Sequence, residues 1–289
     1  MGDCVLVMTP VYDIFFHSIE NAGRTVLECP LTYDGASYGI DFAALERGLA
    51  EPLTTMMILC NPHNPVGRIW SREELARIGE LCRRHGVTVL SDEIHCDLTD
   101  PEVGYVPFAS VSCECADNSV TCVAASKAFN LAGLQSAAVV IPNEFLRNKV
   151  VRGLNSDEVA EPNCFAAIAA ATAFGSCGDW LDALRAYLAE NKRTVSEFVS
   201  REIPGIHVVG QNATYLLWID CSAITDDTDE LAEHIRRTTG LYLTAGGQYR
   251  GNGRYFLRMN TACQRKTLID GLERLRAGVA DYCRAKGDI

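Results

Sequence analysis

Five short, unbroken apolar runs most constrain how this chain can fold: "VLVM" (5–8), "TMMILC" (55–60), "VTVLS" (87–91), "VTCVAA" (120–125) and "AAVVI" (137–141). None alternates polar with apolar, so each reads as a strand covered on both faces, as in a parallel sheet between helical layers. Between the second and third runs, "SREELARIGELCRRHG" supplies a crossover helix. Ser71 and Glu74 form a capping-box pair, Leu75, Ile78, Leu81 and Cys82 share one face, and Gly86 is placed to end it. This alternation predicts an α/β fold built on a three-layer, mainly parallel sheet.

After Pro162 the pattern changes to long helices, "CFAAIAAATAF" and "WLDALRAYLAENKRTVSEFV", with strands resuming at "HVV", "TYLLWID" and "YFLRMN". A helix from about Asp229 to Thr239 and a terminal one in "KTLIDGLERLRAGVADYCRA" complete the series. We therefore expect a large domain over 1–177 and a smaller C-terminal α+β domain over 178–289.

The chain is 48% hydrophobic over 289 residues, enough for real cores, and carries a net charge of −11 with no long basic run. That balance argues against nucleic acid or an anionic membrane and leaves a small molecule as the expected partner. The N-terminus lacks a basic and apolar leader pattern, so a cytoplasmic location is expected. Thirteen cysteines, many inside apolar runs, read as reduced core residues, and Cys113 and Cys115 lack the CxxC spacing of a zinc site, so no metal is expected.

In an open parallel sheet, ligands bind beyond the carboxyl ends of the strands. The residues that follow the runs are "TPVY", "NPHNPVG", "DEIH" and "SKAFN", which bring Tyr12, Asn64, Asp92, His95, Ser126 and Lys127 to one mouth. Lys127 stands among small and apolar neighbours, where desolvation would free a neutral, nucleophilic amine. It could equally be a surface lysine opening a helix. A pyridine cofactor held on a lysine needs an acid for its ring nitrogen, a donor for its phenolic oxygen, an aromatic face and phosphate donors. Asp92, Asn64, Tyr12 and Ser126 supply one of each. Singly, Asp92 also reads as a helix cap, Asn64 as a turn former and Tyr12 as a rim aromatic; convergence at one sheet edge favours the chemical reading. His63 reads as a loop residue.

Taken together, "GDCVLVMTPVYDIFF", "NPHNPVG", "SDEIHCDL", "SKAFNLAGLQSA", "WLDALRAYLAENK", "TYLLWID" and "FLRMNTAC" resemble the fold type I pyridoxal-phosphate enzymes. The resemblance is to the cystathionine β-lyase-like, MalY/PatB branch of the class I/II aminotransferases and spans nearly the whole chain. It implies pyridoxal 5′-phosphate as cofactor, Lys127 as its Schiff-base residue, Asp92 at the pyridine nitrogen, Asn64 at the phenolic oxygen and Tyr12 stacked on the ring. Arg258 falls where the family holds the substrate carboxylate, a role suited to a guanidinium. His95 and Gln135 occupy positions where ordinary aminotransferases carry Tyr and Arg, which favours the C–S lyases; His95 is also readable as a structural histidine.

The implied function is carbon–sulfur β-lysis of L-cystathionine or another cysteine S-conjugate, with a homodimer as the assembly of complete family members. Two alternatives stand beside it: an aminotransferase on the same scaffold, and a non-catalytic chain with weak cofactor binding. Family members begin with a further segment whose helix start helps cradle the phosphate. The resemblance implies that this chain starts after it, which leads to an expectation of weak cofactor binding and an uncovered apolar surface.

Overall fold

The computed structural model describes residues 2–287. Each of the five apolar runs forms a strand. The strands of the first half are β1 (Cys4–Thr9), β2 (Thr25–Pro30), the two-residue β3 (Thr32–Tyr33) and β4 (Tyr38–Gly39), β5 (Thr54–Cys60), β6 (Thr88–Asp92), β7 (Ser119–Val123) and β8 (Ala138–Val140). Six of them make one sheet in the order β2-β1-β5-β6-β7-β8. All its pairings are parallel except β7 with β8, which is antiparallel at the edge.

The helices covering this sheet explain why the runs are continuous. Val5 and Val7 of β1 pack with Phe16 and Ile19 of α1 (Ile14–Asn21) on one face. Leu6 and Met8 face the other way, into a core with Leu45 and Leu49 of α2 (Phe42–Leu49) and Leu75 and Ile78 of α3 (Arg72–Arg84). Neighbouring residues of one strand thus serve opposite cores, so neither position tolerates a polar side chain. The capping box of α3 is present: Ser71 Oγ accepts from Glu74 N–H at 3.2 Å, and the Glu74 carboxylate accepts from Ser71 N–H at 2.8 Å. Gly86 follows with φ of 69°.

Four further helices lead out of this sheet region: α4 (Cys113–Asp117), the four-residue α5 (Ala125–Ala128), α6 (Glu144–Ser156) and α7 (Ala166–Ser176). Beyond them α8 (Gly178–Glu202), α9 (Thr228–Thr239) and α10 (Arg265–Lys286) pack on a second, antiparallel sheet. Its strands are β9 (His207–Val208), β10 (Leu216–Asp220), β11 (Thr244–Ala245) and β12 (Phe256–Asn260), in the order β11-β12-β10-β9. Leu217 and Ile219 of β10 enter the core beneath α9 and α10, whereas Trp218 enters the core of the first sheet. There Trp218 stacks on Phe256 at 5.1 Å and donates to Tyr38 Oη at 3.2 Å. The two sheets are therefore joined by shared hydrophobic packing. Among the described residues the thirteen cysteines form no disulfide, and six of them are buried.

Candidate active site

The chain leaves β1 for β2 on one side and returns to β5 on the other, so the strand order reverses between β1 and β5. A crevice opens at such a reversal, because the connections diverge to either side of it. Beyond these strand ends lies a cavity of about 190 Å³ lined by Tyr12, Asn64, Asp92, His95, Lys127 and Arg258, among others. Five of these come from the first-half strand ends and Arg258 from the second sheet. A larger cleft of about 480 Å³, between α3 and α4, is lined by exposed charges of both signs and gathers none of these groups.

Each wall is fixed by identifiable bonds. Asn61 N–H donates to the Asp92 carbonyl at 2.9 Å, tying the ends of β5 and β6 together, and Asn64 N–H donates to buried Cys60 Sγ at 3.4 Å. His63 lies in the turn, as its sequence position suggested, but its side chain does more than fill a loop. It is fully buried, its Nε2 is 2.9 Å from the Pro10 carbonyl oxygen, and its ring meets Trp70 edge-on. It thereby links the Asn64 turn to the segment that carries Tyr12. That segment is also held by Val11 N–H donating to the Tyr249 carbonyl at 3.1 Å. Gly251, at φ of 55°, lets its backbone approach so closely that an added Cβ would stand 3.0 Å from Pro10 N. Any other residue there would be pushed against the Tyr12 segment.

Arg258 sits opposite Trp218 in the antiparallel pairing of β10 and β12, which directs both toward the first sheet. Its guanidinium lies 4.9 Å from the Tyr249 ring centroid, and Nη1 is 3.4 Å from Asn64 Oδ1. A cation–π contact and a long hydrogen bond leave most of its donors available to a carboxylate.

Burial dominates the electrostatics. Asp92 is raised to about 6, chiefly by desolvation; the Ile94 N–H bond to it and the nearby Lys127 ammonium pull in the opposite direction. Desolvation, with Lys127 and Arg258 adding to it, depresses His95 to about 4, so its ring is neutral at pH 7. His95 Nδ1 is buried without a hydrogen-bond partner, and the ring meets Tyr215 edge-on at 5.9 Å. Desolvation also raises the Tyr12 phenol. Lys127 stands on α5 with no ion pair among the described residues, whereas Lys192, the other well-covered lysine, is paired with Asp100.

Ser126 adjoins Lys127 but lines a neighbouring cavity with it. The sequence reading passed over Tyr215, Leu216 and Asn260, which also line the Asp92 cavity. Tyr215 follows Thr214, a buried residue at φ of 66°, so the chain bends sharply just before β10 and turns the tyrosine to the site. Nothing local in "ATYLL" distinguishes that tyrosine from a strand residue.

The family model for aminotransferase class I and II matches residues 1–275. Cystathionine beta-lyase PatB of Bacillus subtilis is 43% identical over 279 residues, spanning 96% of this chain and 72% of that protein. Protein MalY of Escherichia coli is 32% identical over 285 residues, spanning 98% and 71% respectively. Among solved structures, cystalysin from Treponema denticola, which contains a pyridoxal 5′-phosphate cofactor, matches with a TM-score of 0.94 at 31% identity. That match covers 97% of this chain and 71% of cystalysin. With a reversed strand order that collects a lysine, an aspartate and an arginine at one crevice, and with these matches along its length, the chain belongs to the class I and II aminotransferase family.

Proposed function

We propose that this chain is a pyridoxal-phosphate-dependent carbon–sulfur β-lyase acting on L-cystathionine or related cysteine S-conjugates. The observation that carries the reading is the meeting of Lys127, Asp92, Asn64, Tyr12 and Arg258 at one cavity, in a chain 43% identical to a cystathionine beta-lyase. The donor set fits the cofactor: a buried carboxylate for a cationic ring nitrogen, an amide for a phenolic oxygen, an aromatic face, and a lysine with no competing ion pair. His95 brings a buried ring nitrogen that lacks a partner. When bound, pyridoxal phosphate supplies an electron-poor ring that stabilises negative charge at the substrate Cα.

In this reading the protein's own groups do the following. Lys127 would hold the cofactor through its amine and, with that amine free, would take the Cα proton. Asp92 keeps the ring nitrogen protonated; a cation beside it favours its carboxylate form and offsets the desolvation that raises it. Arg258 would bind the substrate carboxylate and align the breaking bonds, while Tyr12 would offer its face to the cofactor ring, Asn64 a donor for its phenolic oxygen and Ser126 a donor for its phosphate. His95 completes the wall beside Lys127 as a neutral ring. The Cβ–S bond breaks with its electron pair on sulfur. Overall, one cysteine S-conjugate and one water give a thiol, pyruvate and ammonium.

We assign residues 1–177 to a cofactor-binding domain and 178–289 to a smaller domain that contributes Arg258, and propose a cytoplasmic homodimer. Among the described residues no helix is long and apolar enough to cross a membrane. The test is an absorbance scan with added pyridoxal phosphate, followed by a pyruvate assay with no keto acid present. A visible band and pyruvate support the lyase. A band with turnover only when a keto acid is supplied makes the chain an aminotransferase, and no band at all refutes the cofactor assignment.

A further inference from the structure

Directly after the short helical turn Gly246–Tyr249, the chain passes through Arg250 at φ of 58° and ψ of −160°. Glycine takes that conformation freely and other residues almost never do, so Arg250 must be held there by its surroundings. Its two neighbours touch the walls of the Asp92 cavity. The Tyr249 ring faces the Arg258 guanidinium at 4.9 Å, the Tyr249 carbonyl accepts from Val11 N–H at 3.1 Å, and Gly251 packs against Pro10. A strained residue thus sits in the middle of a strap that meets both Arg258 and the Tyr12 segment.

The side chain of Arg250 supplies the hold. Nη2 is 3.1 Å from Glu20 Oε1 on α1, Nη1 is 3.3 Å from Glu28 Oε1 on β2, and the guanidinium lies 4.0 Å from the Phe16 ring centroid. Because α1 starts two residues after Tyr12, the same grip fixes the helix that leads out of the cavity. Arg250 and both carboxylates are partly exposed, which leaves the ion pairs open to screening by salt.

Taking Arg258 as the carboxylate site of the lyase reading, we infer that Arg250 is a positioning residue for substrate binding. Its grip on Glu20, Glu28 and Phe16 keeps the strained strap in place, and the strap keeps Tyr249 against Arg258 and the Tyr12 segment beside it. Arg250 therefore acts on substrate affinity from outside the cavity. The grip is needed because the position is not glycine: alanine would keep the strain and lose the grip, whereas glycine would lose both.

The experiment measures pyruvate release from L-cystathionine by the full chain with saturating pyridoxal phosphate, and amide hydrogen exchange of the full chain without it. Arg250→Ala should raise KM roughly tenfold, the worth of one strained backbone conformation, with kcat within about twofold. Arg250→Gly should stay within about threefold of the unaltered protein, as expected for the loss of partly exposed ion pairs alone. Glu20→Gln combined with Glu28→Gln should raise KM in the Arg250 protein and add nothing in the Arg250→Gly background. The Val11 amide should exchange roughly tenfold faster in Arg250→Ala than in Arg250→Gly. A merely stabilising surface contact would make the two variants alike, so equal KM values for them overturn the inference, whether both are impaired or neither is. If the unaltered protein yields no pyruvate, the lyase reading is the one that fails, and exchange decides the role of Arg250: unequal rates at Val11 support it and equal rates refute it.

Discussion

The walls of the Asp92 cavity and the segment from Ala124 to Ser176 begin on the same sheet but are held in opposite ways. Asn64, Asp92 and the Tyr12 segment are fastened by buried hydrogen bonds between β1, β5 and β6 and by packing against the second sheet. Lys127 instead stands on a four-residue helix, and the chain beyond it turns apolar side chains outward. Phe145 is 66% exposed, Phe165 and Ile168 are each 70% exposed, and every residue of β8 is exposed. One region orients charges in a rigid frame; the other carries Lys127 on a four-residue helix beside an open apolar face. A cavity can thus be preorganised in most of its walls while one amine on its rim keeps local freedom.

Four substitutions test this contrast. The largest effect belongs to Lys127→Ala, which should abolish pyruvate formation and the visible cofactor band while leaving the circular dichroism spectrum and melting transition intact. A visible band in that variant that borohydride reduces would remove Lys127 from its role. Next, Trp218→Ala should destabilise the protein by about 3–5 kcal/mol, because it opens a cavity where the two sheets share a core. Urea melts reading less than about 1 kcal/mol would show that the sheets are not coupled through this residue.

The third, Asp92→Asn, separates stability from function. The folded carboxyl is raised to about 6 from 3.8, so the folded protein binds this proton more tightly than the unfolded chain. Its favourable contribution is complete below about pH 4 and lost as pH rises through 6. Cofactor-free Asp92→Asn should therefore be more stable than the unaltered protein at pH 7.5, by up to about 3 kcal/mol, and indistinguishable near pH 4. Its turnover should fall steeply, since an amide cannot keep the ring nitrogen protonated. Equal melting of the two proteins at pH 7.5 would contradict the buried-charge account. Smallest in stability is Phe165→Ser on the open face, expected within about 0.5 kcal/mol. Its signature should be weaker binding of a hydrophobic dye and less association on gel filtration. Unchanged dye binding would mean that this face is not the sticky surface.

The elements legible in the sequence are those whose burial is decided locally. The five apolar runs all became strands, and Ser71, Glu74 and Gly86 marked the ends of α3. β2 carries no continuous apolar signal, because "TVLECP" lies at the sheet edge with only one residue buried. The two-residue strands β3 and β4 are too short to have a period. The strand-end rule placed Tyr12, Asn64, Asp92, His95, Ser126 and Lys127 at one mouth, and all but Ser126 line the Asp92 cavity; Arg258 was reached through family resemblance, because its direction depends on a cross-strand register set by tertiary packing. The same holds for His63, whose burial depends on Pro10, 53 positions earlier. Tyr215 depends on a left-handed Thr214 that the residue type disfavours.

Of the chain's five lysines, one should hold the cofactor. The protein is incubated with pyridoxal phosphate, reduced with borohydride, digested, and its peptides weighed. The added mass of reduced cofactor should appear stoichiometrically on the peptide containing Lys127, with Lys192 unmodified because its ammonium is paired with Asp100. Label spread over exposed Lys149, Lys266 and Lys286, or concentrated on Lys192, would contradict this assignment.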